Sequence, residues 1–397
     1  MKKFTILFLL ILGIANLTHA QWQQTNIPTP EGILSIGVNG TDIFAGTNGD
    51  GVFLSTNNGS SWTAVNTGLT NKEIYSFVFS GSNIFVSTYG GGVFLSTNKG
   101  SSWTAVNNGL TDTFVLALAM SGTNLFAGTE NSGAFLSTNN GSSWTAINNG
   151  LTKTDVLQLA ISGTNIFAGT WGGGVFLSSD NGSNWAAANS GISTKNVIGL
   201  AINGSNIFVG TWLSNVYMST NNGSSWTAVN NGLTSNKTWA FAFDGTKTFA
   251  GTADGVFLSY NNGGLWKAVN DGMTSTEAWS LAISGTTIFA GTKNGVWKRS
   301  LSEFVGVNEI NNDNDNFKLY PNPASNHISI SFSNAVFSYR SISIFNSLGI
   351  EVKQFDEKEL SGKSTISFST ELLPTGVYYC LMSDGIGKTS RSFVLQR

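Results

Sequence analysis

An all-β fold, a seven-bladed β-propeller closed by its N-terminal strand and followed by a small β-sandwich, is predicted by three observations. A unit of about 41 residues recurs seven times, apolar residues alternate with period two inside each unit, and the pattern changes after Ser302. The repeat is read from Phe44, Phe85, Phe126, Phe167, Phe208, Phe249 and Phe289, spaced by 41 residues five times and then by 40. A fixed period of this length marks a repeat architecture. Residues 116–120, 166–170, 175–178 and 185–188 represent the four runs of a unit. β-Branched and aromatic residues fill them, Gly and Asn separate them, and helical periodicity is missing. Four short strands per unit is the size of a propeller blade.

The ends of the array predict ring closure. Trp62, Trp103, Trp144, Trp185, Trp226 and Trp266 open the fourth strand of six units, and the seventh unit stops at Arg299-Ser300 without one. Trp22 stands 40 residues before Trp62 and heads a short strand of its own. Lending that strand to the seventh blade leaves no unpaired sheet edge, whereas an open solenoid needs distinct capping repeats.

The turn before each tryptophan is the most specific motif, as in Ser55-Thr56-Asn57-Asn58-Gly59-Ser60-Ser61-Trp62. An Asx side chain builds the turn by accepting from backbone N–H groups, Gly supplies a conformation a Cβ disfavours, and Trp buries a large ring. The motif resembles the Asp-box (BNR) repeat of sialidase-like propellers over residues 22–300. It departs at the acidic position, where Asn57, Asn98, Asn139, Asn221 and Asn261 stand and only Asp180 keeps the acid. In that family the box is a folding element, so the resemblance implies a fold and no chemistry. The fold also resembles photosystem II assembly factors, which are expected to present a basic face.

Composition removes most chemistry. The chain has 20 basic and 22 acidic residues, so the basic patch that nucleic acid needs cannot be built. Residues 21–303 contain no His, no Cys and one Arg, Arg299. A Ser–His nucleophile is thereby excluded, as is the three-arginine carboxylate grip of sialidases. Neither a metal site nor a cofactor is predicted. Glycoside hydrolysis needs only two carboxyl groups and stays as the alternative, with Asp50, Glu73, Asp112, Glu130, Asp155, Asp254 and Glu277 as candidate acids.

Differences between near-identical blades point to one face. Variation concentrates after the second strand, at Asn48, Tyr89, Glu130, Trp171, Trp212, Ala253 and Lys293, and in the loop before the next first strand. Both loops leave a four-stranded meander on one side, where binding is usually placed. Tyr89, Glu130, Trp171, Trp212, Asn48 and Lys293 are the candidate ligand residues, with the two tryptophans suited to stacking on a sugar or anchoring a protein. Trp239 and Trp279 align with Tyr75, Leu116 and Leu157 and read as packing. A non-catalytic, monomeric binding propeller is expected, its ligand a glycan or a protein.

The termini predict export. Lys2 and Lys3, an apolar run over 4–14 and Thr18-His19-Ala20 form a signal peptide over 1–20; the run is too short to span a membrane, and no later segment is a candidate. The propeller is assigned to 21–303 and a polar linker to 304–316. Over 317–397, alternating strands read as a small β-sandwich. Its Tyr320-Pro321-Asn322-Pro323 opening, the Leu348-Gly349 turn and the Leu373-Pro374-Thr375-Gly376-Val377-Tyr378 stretch resemble the type IX secretion C-terminal sorting domain of Bacteroidota. The resemblance implies that the type IX machinery is a partner of this segment and that the protein reaches the cell surface or medium.

Overall fold

The computed structural model describes residues 21–213, 216–245, 247–304, 317–332, 341–346, 350–360, 363–383 and 388–396. The predicted signal peptide, most of the predicted linker and the Leu348-Gly349 turn lie outside them. The chain divides into two units, the first ending at Phe304 and the second beginning at Val305.

The described residues of the first unit form seven four-stranded antiparallel sheets. In the third, Val115–Ser121, Asn124–Thr129, Ala134–Ser137 and Thr145–Ala146 follow one another as a meander. Its first hairpin turns on two residues, and Gly122 takes φ 58° there with nothing near the position of a Cβ. Backbone conformation rather than space therefore selects glycine at this turn. The first strands of successive sheets touch in order, and Ala278–Ser284 of the seventh touches Ile33–Asn39 of the first, which closes the ring.

The core lies between sheets. Phe85 and Val93 of the second sheet pack with Val115, Leu125 and Phe135 of the third, and all five are buried. Each sheet thus buries both faces, which is why every residue of the second strand Asp42–Thr47 is buried. Tryptophans staple the interfaces: the Trp144 indole N–H donates to the Val106 carbonyl of the preceding sheet at 2.7 Å, and Trp103, Trp185, Trp226 and Trp266 repeat the bond.

Closure follows the same rule. Gln23–Gln24 pairs antiparallel with Gly295–Ser300, and Trp22, 2% exposed, donates from Nε1 to the Val269 carbonyl at 2.6 Å. Trp62 alone reaches a side chain, the Thr25 hydroxyl at 3.1 Å, because Thr25 holds the place of Val65 and Val106. Phe304, assigned from sequence to the linker, is buried with this unit, its ring 6.3 Å from Trp22 and 5.0 Å from Phe249.

The turns before the tryptophans accept Asn or Asp alike. Asn139 Oδ1 accepts from the Ser143 amide at 2.9 Å and from the Ser137 hydroxyl at 2.9 Å, while its Nδ2 donates to the Ser143 hydroxyl at 2.9 Å. Asp180 Oδ1 accepts the same backbone bond, from Asn184 at 2.8 Å, and Oδ2 accepts from the Asn184 amide side chain at 2.7 Å. Donor and acceptor exchange ends, so either residue satisfies the turn. These bonds hold the Asp180 carboxyl below its ordinary range.

The second unit pairs a three-stranded sheet with a four-stranded one. Ile328 and Ile330 of the first meet Ile342, Ile344, Cys380 and Phe393 of the second in one buried core. The Tyr320-Pro321-Asn322-Pro323 motif is clipped to the last strand: Asn322 Oδ1 accepts from the Val394 amide at 2.9 Å, and the Ala324 amide donates to the Val394 carbonyl at 2.7 Å. Tyr320 is half exposed. Gly376 opens Gly376–Ser383 at φ 152°, and the Tyr378 hydroxyl donates to the Pro374 carbonyl at 2.7 Å.

Candidate functional site

In the first six blades the two variable loops are tied together on one face, Ala253 to Lys237 in the sixth. The amides of Asn48, Tyr89, Glu130, Trp171 and Trp212 donate to the carbonyls of Gly32, Glu73, Phe114, Asp155 and Asn196, each just before its blade's first strand. A side chain that varies after the second strand is therefore held by the backbone, and its identity is free to change without disturbing the blade.

Four of the six candidate ligand residues come together in two pairs. Trp171 and Trp212 meet edge to face at 5.8 Å and 64°, with Trp171 39% exposed. Lys237 Nζ lies 3.8 Å from the Trp212 ring centre and covers one of its faces. Two sheets back, the Tyr89 hydroxyl donates to Glu130 Oε1 at 3.0 Å, and the Tyr89 ring stacks on Tyr75 at 5.7 Å and meets Phe114 edge-on at 4.8 Å. Asn48 and Lys293 stand exposed on the same rim, outside both clusters.

Electrostatics separate the candidate acids. Asp112 is buried and spends both oxygens on backbone amides, Oδ1 on Phe114 and Oδ2 on Asn131 and Ser132. Asp50 accepts from the Thr29 hydroxyl at 2.6 Å and Asp254 from the Thr234 hydroxyl at 3.0 Å. All three are engaged as hydrogen-bond acceptors within and between the loops. Burial raises the Glu73 carboxyl above its usual range. Burial, then the charge of Glu73, then Tyr89 and Glu130, push the Tyr75 phenol up to about 12. The hydrogen bond to Glu130 raises the Tyr89 phenol.

A third feature lies outside the residues predicted from sequence to bind. A cavity of about 300 Å³ is lined by Gln158 and by one residue from every sheet: Leu34, Tyr75, Leu116, Leu157, Ile198, Trp239 and Trp279. Contact with all seven sheets places it on the axis of the ring. In the pairing of first and second strands, Val115 faces Thr129 and Ala117 faces Gly128, so Leu116 is left between them without a partner. The same skip occurs at Leu34, Tyr75, Leu157, Ile198, Trp239 and Trp279. Each of these seven residues is thus a β-bulge, the device that turns a side chain out of a ladder and recurs beside binding sites. Trp239 and Trp279, read from sequence as packing, line this cavity, and Trp279 also lies against the Gly32 backbone of the next blade, where a Cβ would strike its ring. A signal existed: Ile33-Leu34, Ile74-Tyr75, Val115-Leu116, Val156-Leu157 and Val197-Ile198 each break the alternation with two apolar neighbours.

Among the described residues no cluster of His, Cys, Asp or Glu could hold a metal ion, and no helix is long and apolar enough to cross a membrane.

Comparison with known proteins bears on both units. Residues 318–396 match the family described as the secretion system C-terminal sorting domain. No curated protein matches the sequence. Among solved structures, YCF48 from Cyanidioschyzon merolae is similar at TM-score 0.58 and 16% identity, over 72% of this chain and 100% of that one. The extracellular domain of BT4673 from B. thetaiotaomicron gives TM-score 0.60 and 16% identity, over 83% of this chain and 51% of that one. The GH74 enzyme of Niastella koreensis gives TM-score 0.54 and 17% identity, over 70% of this chain and 44% of that one. At these identities the likeness carries the fold alone. The protein is therefore a β-propeller with a C-terminal secretion sorting domain, exported by type IX secretion to the cell surface or the extracellular space.

Proposed function

We propose that the exported propeller is a non-catalytic binding module that takes a glycan or a protein partner on its variable-loop face, with Trp171 as the contact and Trp212 as its support. The observation that carries this reading is the tryptophan pair, 5.8 Å apart on adjacent blades, with Trp171 39% exposed. Lys237 covers one face of Trp212, so the ring open to a ligand is Trp171. A rigid aromatic ring on a fixed loop supplies contact area at small entropic cost, and such rings dominate binding energy where they occur. Export signals at both ends fit this role: residues 1–20 serve as the signal peptide, and 317–397 engage the type IX machinery.

A glycan array and a partner capture with the full exported chain test the reading. Trp171→Ala should remove binding and leave the melting temperature close to that of the parent. Retained binding would refute it, and so would a variant that melts as early as Trp144→Ala. Hydrolysis is a second reading favoured by one observation, the raised Glu73 carboxyl on the same face as Glu130. A hydrolytic activity lost in Glu73→Gln and Glu130→Gln but kept in Trp171→Ala would favour it.

A further inference from the structure

The axial cavity is chemically unlike the rim. We infer that it is a separate ligand site, taking one small, neutral aromatic molecule of phenol or indole size. Its volume, about 300 Å³, falls at the lower end of the 300–1,000 Å³ range of small-molecule sites, which suits one or two fused rings. Trp239 and Trp279 stand on adjacent sheets, Leu34 separates them from Tyr75, and Leu116, Leu157 and Ile198 supply an aliphatic arc on the three sheets between. A flat ring stacks or sets its edge against the aromatic residues and fills the aliphatic arc with apolar contact.

Polarity narrows the choice. Among the described residues Gln158 is the one amide in the lining, and no charged side chain takes part. It follows the bulge in the fourth sheet, where the corresponding residues of other sheets are short: Ser35, Ser76, Ala117, Gly199, Ala240 and Ser280. Gln158 thus adds a single amide to a lining whose other polar side-chain groups are the Tyr75 hydroxyl and the indole N–H groups of Trp239 and Trp279. A phenol O–H or an indole N–H needs one such partner. A hexose carries more hydroxyls than these groups can pair and would set the rest against Leu and Ile, and no charged side chain stands among the described lining residues to pair an ionic ligand. These costs set the site apart from the glycan or protein contact proposed at Trp171.

Saturation-transfer NMR and calorimetry on the full chain, with indole, p-cresol and toluene as probes and glucose as control, test the assignment. Indole and p-cresol should bind saturably and glucose should not compete. Gln158→Leu should weaken p-cresol by roughly three- to tenfold, the effect of one hydrogen bond, and leave toluene unchanged. Leu157→Trp should fill the cavity and abolish all three; if it fails to fold, Gln158→Leu decides alone. No saturable signal up to several millimolar overturns the inference, as does p-cresol affinity unchanged in Gln158→Leu. Loss of the probes in Trp171→Ala overturns it as well, since binding would then belong to the rim. Failure of the rim reading leaves these outcomes untouched.

Discussion

Trp22→Ala tests whether the N-terminal strand is a full member of the ring or a loose flap on its edge. The ring is 2% exposed, packs edge to face with Phe304 at 6.3 Å and donates to the Val269 carbonyl at 2.6 Å. Deleting a buried tryptophan costs about 3–5 kcal/mol through lost transfer energy and the cavity left behind. The hydrogen-bond share is small, because Arg299 Nη1 stays within 3.4 Å of the same carbonyl. Trp144, 5% exposed with the equivalent bond to Val106, sets the internal standard. The two alanine variants should therefore lose the same amount within about 1 kcal/mol. For a domain of this size about 1 kcal/mol moves Tm by roughly 2–4 °C, so both should fall by about 6–20 °C. Trp22→Phe keeps most of the volume and should lose about 1–2 kcal/mol. Calorimetry of the full chain, following the propeller transition, gives the comparison. A Trp22→Ala protein that melts within about 1 °C of the parent while Trp144→Ala collapses would show that the N-terminal strand does not hold the ring, and the closure argument would fall.

Other expectations follow from single residues. Gly122→Ala places a Cβ at φ 58° in open space and should cost about 1 kcal/mol from conformation alone, measured by urea unfolding; no change would mean that the turn relaxes. The Asp180 carboxyl is held below its ordinary 3.8, first by the Asn184 side-chain hydrogen bond, so the unfolded chain takes up its proton more readily than the folded one. Its contribution is present above the unfolded value and is lost as pH falls through the depressed folded value. Asp180→Asn should accordingly lose less stability than the parent as pH falls through and below the ordinary carboxyl range, and parallel curves would contradict the assigned bonds. Deleting residues 317–397 should leave the protein in the periplasm, and fractionation showing surface delivery of the truncated chain would remove the sorting role.

The scaffold was legible because each of its rules is local and repeated. The phenylalanine period, the tryptophan register and the Asx turn each specify a contact within one blade or with the next, and Trp22 was recognisable as the missing copy. Adjacency on the face was also within reach: Trp171 and Trp212 occupy one register of neighbouring blades, and a ring brings such positions side by side. What escaped was register inside the first strand. Leu116 after Val115 reads as apolar interior, and only the pairing of Val115 with Thr129 and of Ala117 with Gly128 shows that it stands outside the ladder. Phe304 escaped for another reason. A lone aromatic after the repeat ends carries no periodicity, and its burial against Trp22 and Phe249 depends on the closed ring.

The bulges explain how a nearly uniform repeat can carry an asymmetric site. The residue just before each bulge is paired and at most 2% exposed, as Ile33, Ile74, Val115, Val156, Val197, Thr238 and Ala278. All seven are small to medium in size, because space between adjacent sheets fixes them. The bulge residue has no partner across the ladder and points toward the axis, where the neighbour is a cavity rather than a sheet. Pairing and inter-sheet packing therefore place little constraint on its type, and the ring holds Leu, Tyr, Ile and Trp at equivalent places. Stability resides in the repeated positions and chemistry in the skipped ones. Substitution at Leu116 or Leu157 should thus alter what the cavity accepts far more than how firmly the blade folds, the reverse of what the adjacent Val115 and Val156 would do.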